Sequence, residues 1–403
     1  MDNGKRMNTN DKNILKVTCF GHFMSHFNML VFPAILVPLS GMLQMGLAET
    51  LALSFSMYLL FGISSLPWGM LADRLGGKRL LYLFHVGAGV SAILAGLSID
   101  SPSRLIWALA GIGFFSGIYH PAGLGWIAKS VTRTSMGMAY NGMLGNLGLA
   151  SGPLLAGLIN FFHGPAVVYY TVGVMNLSGL YFLLRSPSHD GGKRKPAKKG
   201  GGHASWAGFG VLLLAMMLAG TVYRGTTVTL PALFELQGQG VYRWVASVFA
   251  GISSNVVATT LTSCLYLVGM AGQFMGGRVG ERFDLRWGYF SFHAITIPAA
   301  FLIAHLSNLP LILVATVHSF FLLGMQPIEN TLVARLTPPS LHHSAYGMKF
   351  VVTFGIGSFA VKLVEMVKSS GSLGDVYPLL GMISILLVCV ILLLSRITAP
   401  MRL

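Results

Sequence analysis

Apolar runs of about 20 residues recur along almost the whole chain, each ended by a short polar or glycine-rich break. A helix of that length crosses the hydrocarbon core of a bilayer. The runs fall near 14–40, 48–71, 80–98, 104–128, 137–162 and 165–185. A second set falls near 205–236, 257–277, 286–304, 309–336, 343–368 and 375–396. The pattern predicts an all-α membrane protein with twelve transmembrane helices in two pseudo-symmetric six-helix bundles. Residues 14–185 and 205–396 form the bundles, 186–204 a linker, and 1–13 and 397–403 the tails. The stretch 237–256 fits an outer loop, a surface helix or the start of a long eighth span.

Composition supports lipid as the main solvent. Only 10% of the 403 residues are charged, against roughly 25% in soluble domains. The net charge of +15 would suggest nucleic acid in a soluble chain. Here the cations alternate with the spans. Segments on one side hold 21 of the 27 Lys and Arg residues, the other side holds Arg104, Arg243 and Lys368, and three lie within spans. The positive-inside rule then puts both termini and the lysine-rich 186–204 linker in the cytoplasm, with the chain multi-pass in the cell membrane. The polar start up to about Ile14 predicts no cleavable leader, the first span serving as its own insertion signal. Cys19, Cys264 and Cys389 all lie in apolar runs and show neither a disulfide framework nor zinc spacing.

The two halves share a loop. "GMLADRLGGKR" follows the second run and "GRVGERFDLR" the eighth. Gly69, Asp73 and Arg74 align with Gly277, Glu281 and Arg282 at a constant offset of 208. Corresponding loops in two halves are the footprint of a duplicated transporter. "GMLADRLGGKR" resembles the loop between spans two and three of the major facilitator superfamily. "GNLGLASGPLLAG" (Gly145, Gly148, Gly152, Pro153, Gly157) is similar to that superfamily's antiporter motif. "GHFMSHFNMLVFPAILVP" and "IYHPAG" resemble the fosmidomycin-resistance-like branch. That resemblance implies proton-driven efflux of drugs or small organic anions. It departs at His26, where the branch carries an Asp, and at Gly77, where a basic residue is usual.

Ionisable groups inside a bilayer are costly, so each needs a reason. Glu329 and Glu365 are the carboxylates clearly within runs, and the first half, where Glu49 stands at the very start of its run, has no intramembrane carboxylate. Glu329 and Lys349 sit about 10 and 9 Å from one membrane face on neighbouring spans, close enough to pair. That pair serves either proton coupling or static structure. Glu365 and Lys362, three apart, suit a local pair. Arg224 has no acidic neighbour in its run. It either faces a cavity, where it would hold a carboxylate or phosphonate, or snorkels to the outer interface. His22 and His26 share a helix face about 12 and 18 Å into span one. With His120 they form a polar stripe at the depth of a central cavity, as solute contacts or proton carriers.

Tyr223, Gln326, Asn330, Asn141 and Asn146 are further polar positions that line a path or join helices. Gly69, Asp73, Arg74, Gly76, Arg133, Glu281 and Arg282 form a gate, with Asp73 bonded to a helix N-terminus of the other half or to Arg133. The three histidines and nearby methionines would suit a soft metal. With no intramembrane carboxylate in that half, no metal site is expected, and no cofactor. The chain shows no nucleophile–base set, HExxH helix or nucleotide loop, so an enzyme is not expected.

The expectation is a monomeric secondary transporter, working by proton-coupled efflux of a small organic solute. A proton symporter or uniporter importing an organic anion is the alternative. A metal or metal-chelate carrier ranks below both.

Overall fold

The computed structural model describes residues 7–186, 205–338 and 342–401. Apart from Ser186, the expected linker 186–204 lies outside them. Hydrocarbon offers no water to backbone N–H and C=O groups, so apolar runs must satisfy those groups as helices. Every regular element among the described residues is helical.

The first half comprises α1 (Thr9–Ala34), α2 (Leu36–Leu43), α3 (Leu47–Ala52), α4 (Phe55–Ile63), α5 (Ser65–Leu75), α6 (Gly77–Leu97), α7 (Pro102–Ser116), α8 (Tyr119–Ser130), α9 (Thr134–His163) and α10 (Pro165–Leu184). The second comprises α11 (Trp206–Gln237), α12 (Gln239–Val248), α13 (Ser254–Arg282), α14 (Leu285–Ile303), α15 (Asn308–Gly324), α16 (Gln326–Leu336), α17 (His342–Phe350), α18 (Ala360–Ser370) and α19 (Val376–Ile397). Local chemistry sets their ends. Asn8 accepts the Asp11 N–H at 2.7 Å, and Ser205 and Ser253 cap α11 and α13 in the same way. Gly76, at φ +88°, turns the chain between α5 and α6, a conformation open to glycine.

Among the described residues nine spans are long and apolar enough to cross a membrane; α1–α2, bent by 51°, and α3–α5, bent by 43°, bring the total to eleven. The run expected at 286–304 becomes α14, which carries Arg286 and His293 and is not among the eleven. The ambiguous stretch 237–256 resolves into α12, a surface helix with no buried residue, before α13 starts at Ser254. Large apolar side chains such as Trp107, Leu184 and Phe274 are exposed around the molecule, as a lipid-facing surface requires.

The eleventh run does not form one regular helix. Between α17 and α18 lie a π-helical turn, Val351–Gly355, and a 3-10 turn, Ile356–Phe359. Such departures inside a helix frequently mark functional sites.

Within the first half α1 packs on α9, and α6 on α7 and α10. Within the second, α13 packs on α15, and α14 and α11 on α19. The halves meet through α9 and α13, through α3 and α18, and through α4 and the π turn. At one end the apolar core is continuous across both halves, joining Phe27, Leu30 and Tyr58 to Val228, Leu233, Val361 and Leu380. At the other end Leu212, Tyr289, Ile328, Leu332 and Leu394 form a separate core belonging to the second half alone. The molecule is therefore closed at the first end and split at the second.

Candidate functional site

The split end opens into a cavity of about 1390 Å³ between the halves. Its floor is the continuous core. The closed end is also held by a polar tie: Asn255 Nδ2 donates to the Ala34 carbonyl at 2.9 Å and to Glu235 Oε2 at 2.7 Å. That tie joins α13 and α11 to the last turn of α1.

The second half supplies the cavity's charged wall. Glu329 lies on α16, which continues from α15 through Met325 as one span, Asn308–Leu336. Lys349 stands near the end of α17, just before the π turn of the same span. Glu329 Oε1 and Lys349 Nζ are 2.7 Å apart, with both side chains under a tenth exposed. Tyr289 donates its hydroxyl to Glu329 Oε2 at 2.8 Å, and Lys349 Nζ donates to Asn330 Oδ1 at 2.5 Å. The Tyr346 hydroxyl donates to the Asn330 carbonyl at 2.9 Å. Each member of the pair thus has a hydrogen-bond partner besides the other, which a buried ion pair needs in order to persist.

The first half supplies a wall of imidazoles. His22 Nδ1 lies 2.8 Å from the Asn141 carbonyl, an acceptor, so this nitrogen carries the hydrogen. Its Nε2 is then a lone pair, 3.1 Å from His26 Nε2, which donates. His120, on α8, completes a cluster whose ligating nitrogens all lie within 4.8 Å of one another. Neither His120 nitrogen has a hydrogen-bond partner. Gly145 makes room for this arrangement: a Cβ there would stand 2.5 Å from the His22 ring. The His22 ring stacks on Tyr119 at 5.0 Å, and His120 stacks on Phe350 at 4.7 Å.

The structure therefore brings His22, His26, His120, Tyr223, Gln326, Glu329, Asn330 and Lys349 to one cavity. Arg224 does not join them, and it does not snorkel. It is 3% exposed, set behind the lining, with its guanidinium 3.9 Å over the Tyr58 ring. Cation–π stacking in place of an ion pair holds this charge. Asp73 pairs with Lys129 at 3.0 Å rather than with Arg133 or with the other half. Gly69, Asp73, Arg74 and Gly76 line the open mouth, while Arg133, Glu281 and Arg282 do not. Gly148 and Gly152 lie against α1, and Gly157 against Thr259 of α13. Pro153 is buried within α9. Lys362 and Glu365 form their local pair at 2.8 Å.

Several residues of the site are not singled out by the sequence. Gln273 links Asn146 to Gln326: its Oε1 accepts from Asn146 Nδ2 at 2.6 Å and its Nε2 donates to Gln326 Oε1 at 3.0 Å. A lone glutamine within an apolar run was its available signal. Phe350, Phe354 and Tyr58 carry none, being ordinary apolar positions until the π turn and Arg224 select them. Glu235 and Asn255 sit at run boundaries, where a polar residue reads as a solvated end.

A comparison with curated proteins finds no match. Solved structures match over nearly the whole chain at low identity, which shows the fold. A bacterial homologue of the human lysosomal transporter Spinster, inward-facing and occupied, matches with a TM-score of 0.71 and 14% identity over 97% of this chain and 98% of that one. A peptide transporter POT in complex with sulfate gives 0.73 and 15% over 95% and 94%. A D-xylose–proton symporter gives 0.71 and 12% over 97% and 98%. The family model for the Major Facilitator Superfamily matches residues 18–361. With that match spanning most of a two-half helical molecule split around a polar cavity, the chain belongs to the Major Facilitator Superfamily.

Proposed function

We propose that this multi-pass membrane transporter carries a small organic anion, coupled to protons through Glu329 and Lys349. The buried pair on the cavity wall carries the reading. Lys349 is the one cation among the described residues that both lines the cavity at depth and is held by a carboxylate. An anionic solute reaching Lys349 competes with Glu329 for it. Glu329, released into a site of low dielectric, then takes a proton, because an unpaired buried carboxylate is costly. Proton and anion bind together on this scheme.

That consequence favours anion–proton symport, the second of the two directions the sequence left open. Efflux by exchange, implied by the fosmidomycin-resistance-like resemblance, requires proton and solute to exclude each other. Breaking the pair also frees α17 and the adjoining π turn, so coupling passes into the irregular eleventh span. The halves then rock about the cavity, the usual route of alternating access in such folds. The open mouth, with Asp73, Lys129 and the described ends of the chain nearby, is assigned to the cytoplasm by the charge bias. The carrier is assigned to the cell membrane as a monomer.

Proteoliposome uptake of organic anions under imposed pH gradients of either sign tests the reading. Accumulation of the anion on the side toward which protons flow is expected. Accumulation against the proton flow would establish exchange instead. Flux indifferent to the gradient would remove coupling altogether.

A further inference from the structure

Three imidazoles from two helices converge on one point of the cavity wall, and the transport scheme above does not use their geometry. Among the described residues this is the sole group of three or more His, Cys, Asp or Glu side chains so placed. His85, His293 and His318 are also buried without partners, but each stands outside any such group. We propose that His22, His26 and His120 bind a divalent first-row transition-metal ion that arrives with a small anionic ligand. From the sequence a metal carrier ranks below the organic-solute readings, because the first half holds no intramembrane carboxylate; the structure adds that His120 closes on the other two.

The donor chemistry fits. Neutral imidazole is a preferred ligand for zinc, cobalt, nickel and copper ions. Metal–nitrogen bonds of about 2.0–2.1 Å put two ligands of a tetrahedral ion about 3.4 Å apart. His22 Nε2 and His26 Nε2 are 3.1 Å apart, and the third imidazole lies within 4.8 Å, so a small rotation, with the His26 hydrogen moved from Nε2 to Nδ1 to free the lone pair, completes the set. The outer shell fits as well. Metal-bound histidines characteristically donate their other ring N–H to a carbonyl or carboxylate. His22 does so to the Asn141 carbonyl at 2.8 Å, turning the Nε2 lone pair toward the cluster. His120, 5% exposed with neither nitrogen bonded, has an unfilled requirement that an ion would meet.

Charge decides what accompanies the ion. The three ligands are neutral, and the cluster contains no carboxylate. Arg224 lies within electrostatic range of His26, and Lys349 of His120. Glu329 already offsets Lys349, so a bare dication would add to the charge of Arg224, which forms no ion pair among the described residues. An anionic oxygen donor in the fourth position, taken from the cavity that all three histidines line, offsets this. The inference deepens the organic-anion reading, because the carried unit becomes a metal–anion complex. Metal binding itself is measured without any transport assay, so the two can fail separately.

The experiment is a Co²⁺ titration of the purified full-length protein in detergent, followed by the visible d–d absorption of the ion. Saturable bands of tetrahedral intensity at one equivalent are expected. Azide, a small anionic probe, should shift those bands by occupying the fourth position and should tighten Co²⁺ binding. His26→Ala and His120→Ala should each weaken Co²⁺ at least tenfold, while His163→Ala, at the far end of α9, should leave the titration unchanged. His120→Ala is the decisive variant, because that ring holds no hydrogen bond whose loss would disturb the fold. A thermal melt without metal confirms that each variant is folded. Absence of saturable bands, or bands that survive His120→Ala at full affinity, would overturn the site. Bands that ignore azide would overturn the anionic partner. A protein that moves organic anions but fails the Co²⁺ titration keeps the transport reading and loses this one.

Discussion

In the first half the ion pair sits at the open mouth, with Asp73 and Lys129 3.0 Å apart and their side chains 71% and 35% exposed. In the second half two ion pairs are buried. Asp284 and Arg286 pair at 2.8 Å beside the matching turn, and Glu329 and Lys349 at 2.7 Å in the cavity wall, all four under a tenth exposed. Arg286 also donates to the Ser395 carbonyl, and Asp284 accepts from the Met401 N–H, so the second turn is tied to the end of α19. The loops that align in sequence therefore do different work. The residues aligned with Asp73 and Arg74, Glu281 and Arg282, are exposed and form no ion pair among the described residues. An exposed pair is worth little and breaks readily, which suits a moving mouth. A buried, hydrogen-bonded pair is costly to break, which suits either a fixed joint or a step driven by solute and proton. One half carries an exposed, removable contact and the other buried, hydrogen-bonded ones.

Glu329→Gln tests this contrast most severely. It leaves Lys349 buried and uncompensated, a loss of about 3–5 kcal/mol by the usual cost of halving a buried pair. Gradient-driven flux should vanish, and a Glu329→Gln, Lys349→Met double variant should recover stability but not driven flux. Melting curves and proteoliposome uptake read the two effects, and normal driven flux in Glu329→Gln would end the coupling role.

Asp284→Asn should cost about 2 kcal/mol, typical of hydrogen bonds to a charged group. The Arg286 guanidinium bonded to Asp284, aided by the Arg286 and Met401 N–H groups, holds its carboxyl down to about 2 from an ordinary 3.8. A depressed carboxylate stabilises the fold fully above its unfolded value and loses that contribution as pH falls through the folded one. Wild-type stability should thus decline between about pH 4 and 2, and Asp284→Asn should flatten that part of the profile. A melt series across this range showing identical slopes would place the joint elsewhere.

Asn255→Ala removes the tie from α13 to Ala34 and Glu235. Losing about 1 kcal/mol there should shift the population severalfold toward opening of the closed end. Spin-label distances across α1 and α13 report this; an unchanged distribution would show that apolar packing alone holds the closure. Asp73→Asn is expected to have the smallest effect on stability, under about 1 kcal/mol. It should slow cycling and preserve solute binding. Loss of binding would mean that Asp73 belongs to the site and not to the mouth.

Much of the fold and part of the site were legible in the chain. Each apolar run carries its own secondary structure, because lipid forces the backbone to bond within the segment. The Glu329–Lys349 pair could be read from depth alone, since two opposite charges at one level of adjacent spans have few other partners. Depth also brought His22 and His26 to the cavity, four residues apart on one helix face. Depth misleads for Arg224, because an isolated cation reads the same whether it faces a path or lies under a tyrosine ring.

What the sequence determined by itself was local: helices, their breaks, the charge bias and the duplicated loop, all set by interactions within a few turns of chain. Only the tertiary structure decided which end is closed, that Lys129 and not Arg133 meets Asp73, that Gln273 bridges the halves, and that His120 joins His22 and His26. These depend on rotation of each helix about its axis and on the approach of helices far apart in sequence. In lipid an apolar face packs almost equally well against protein or solvent, so hydrophobicity does not fix that rotation. Small residues such as Gly145, and bonds such as the one from His22 to Asn141, do fix it, and they act only once the helices have met.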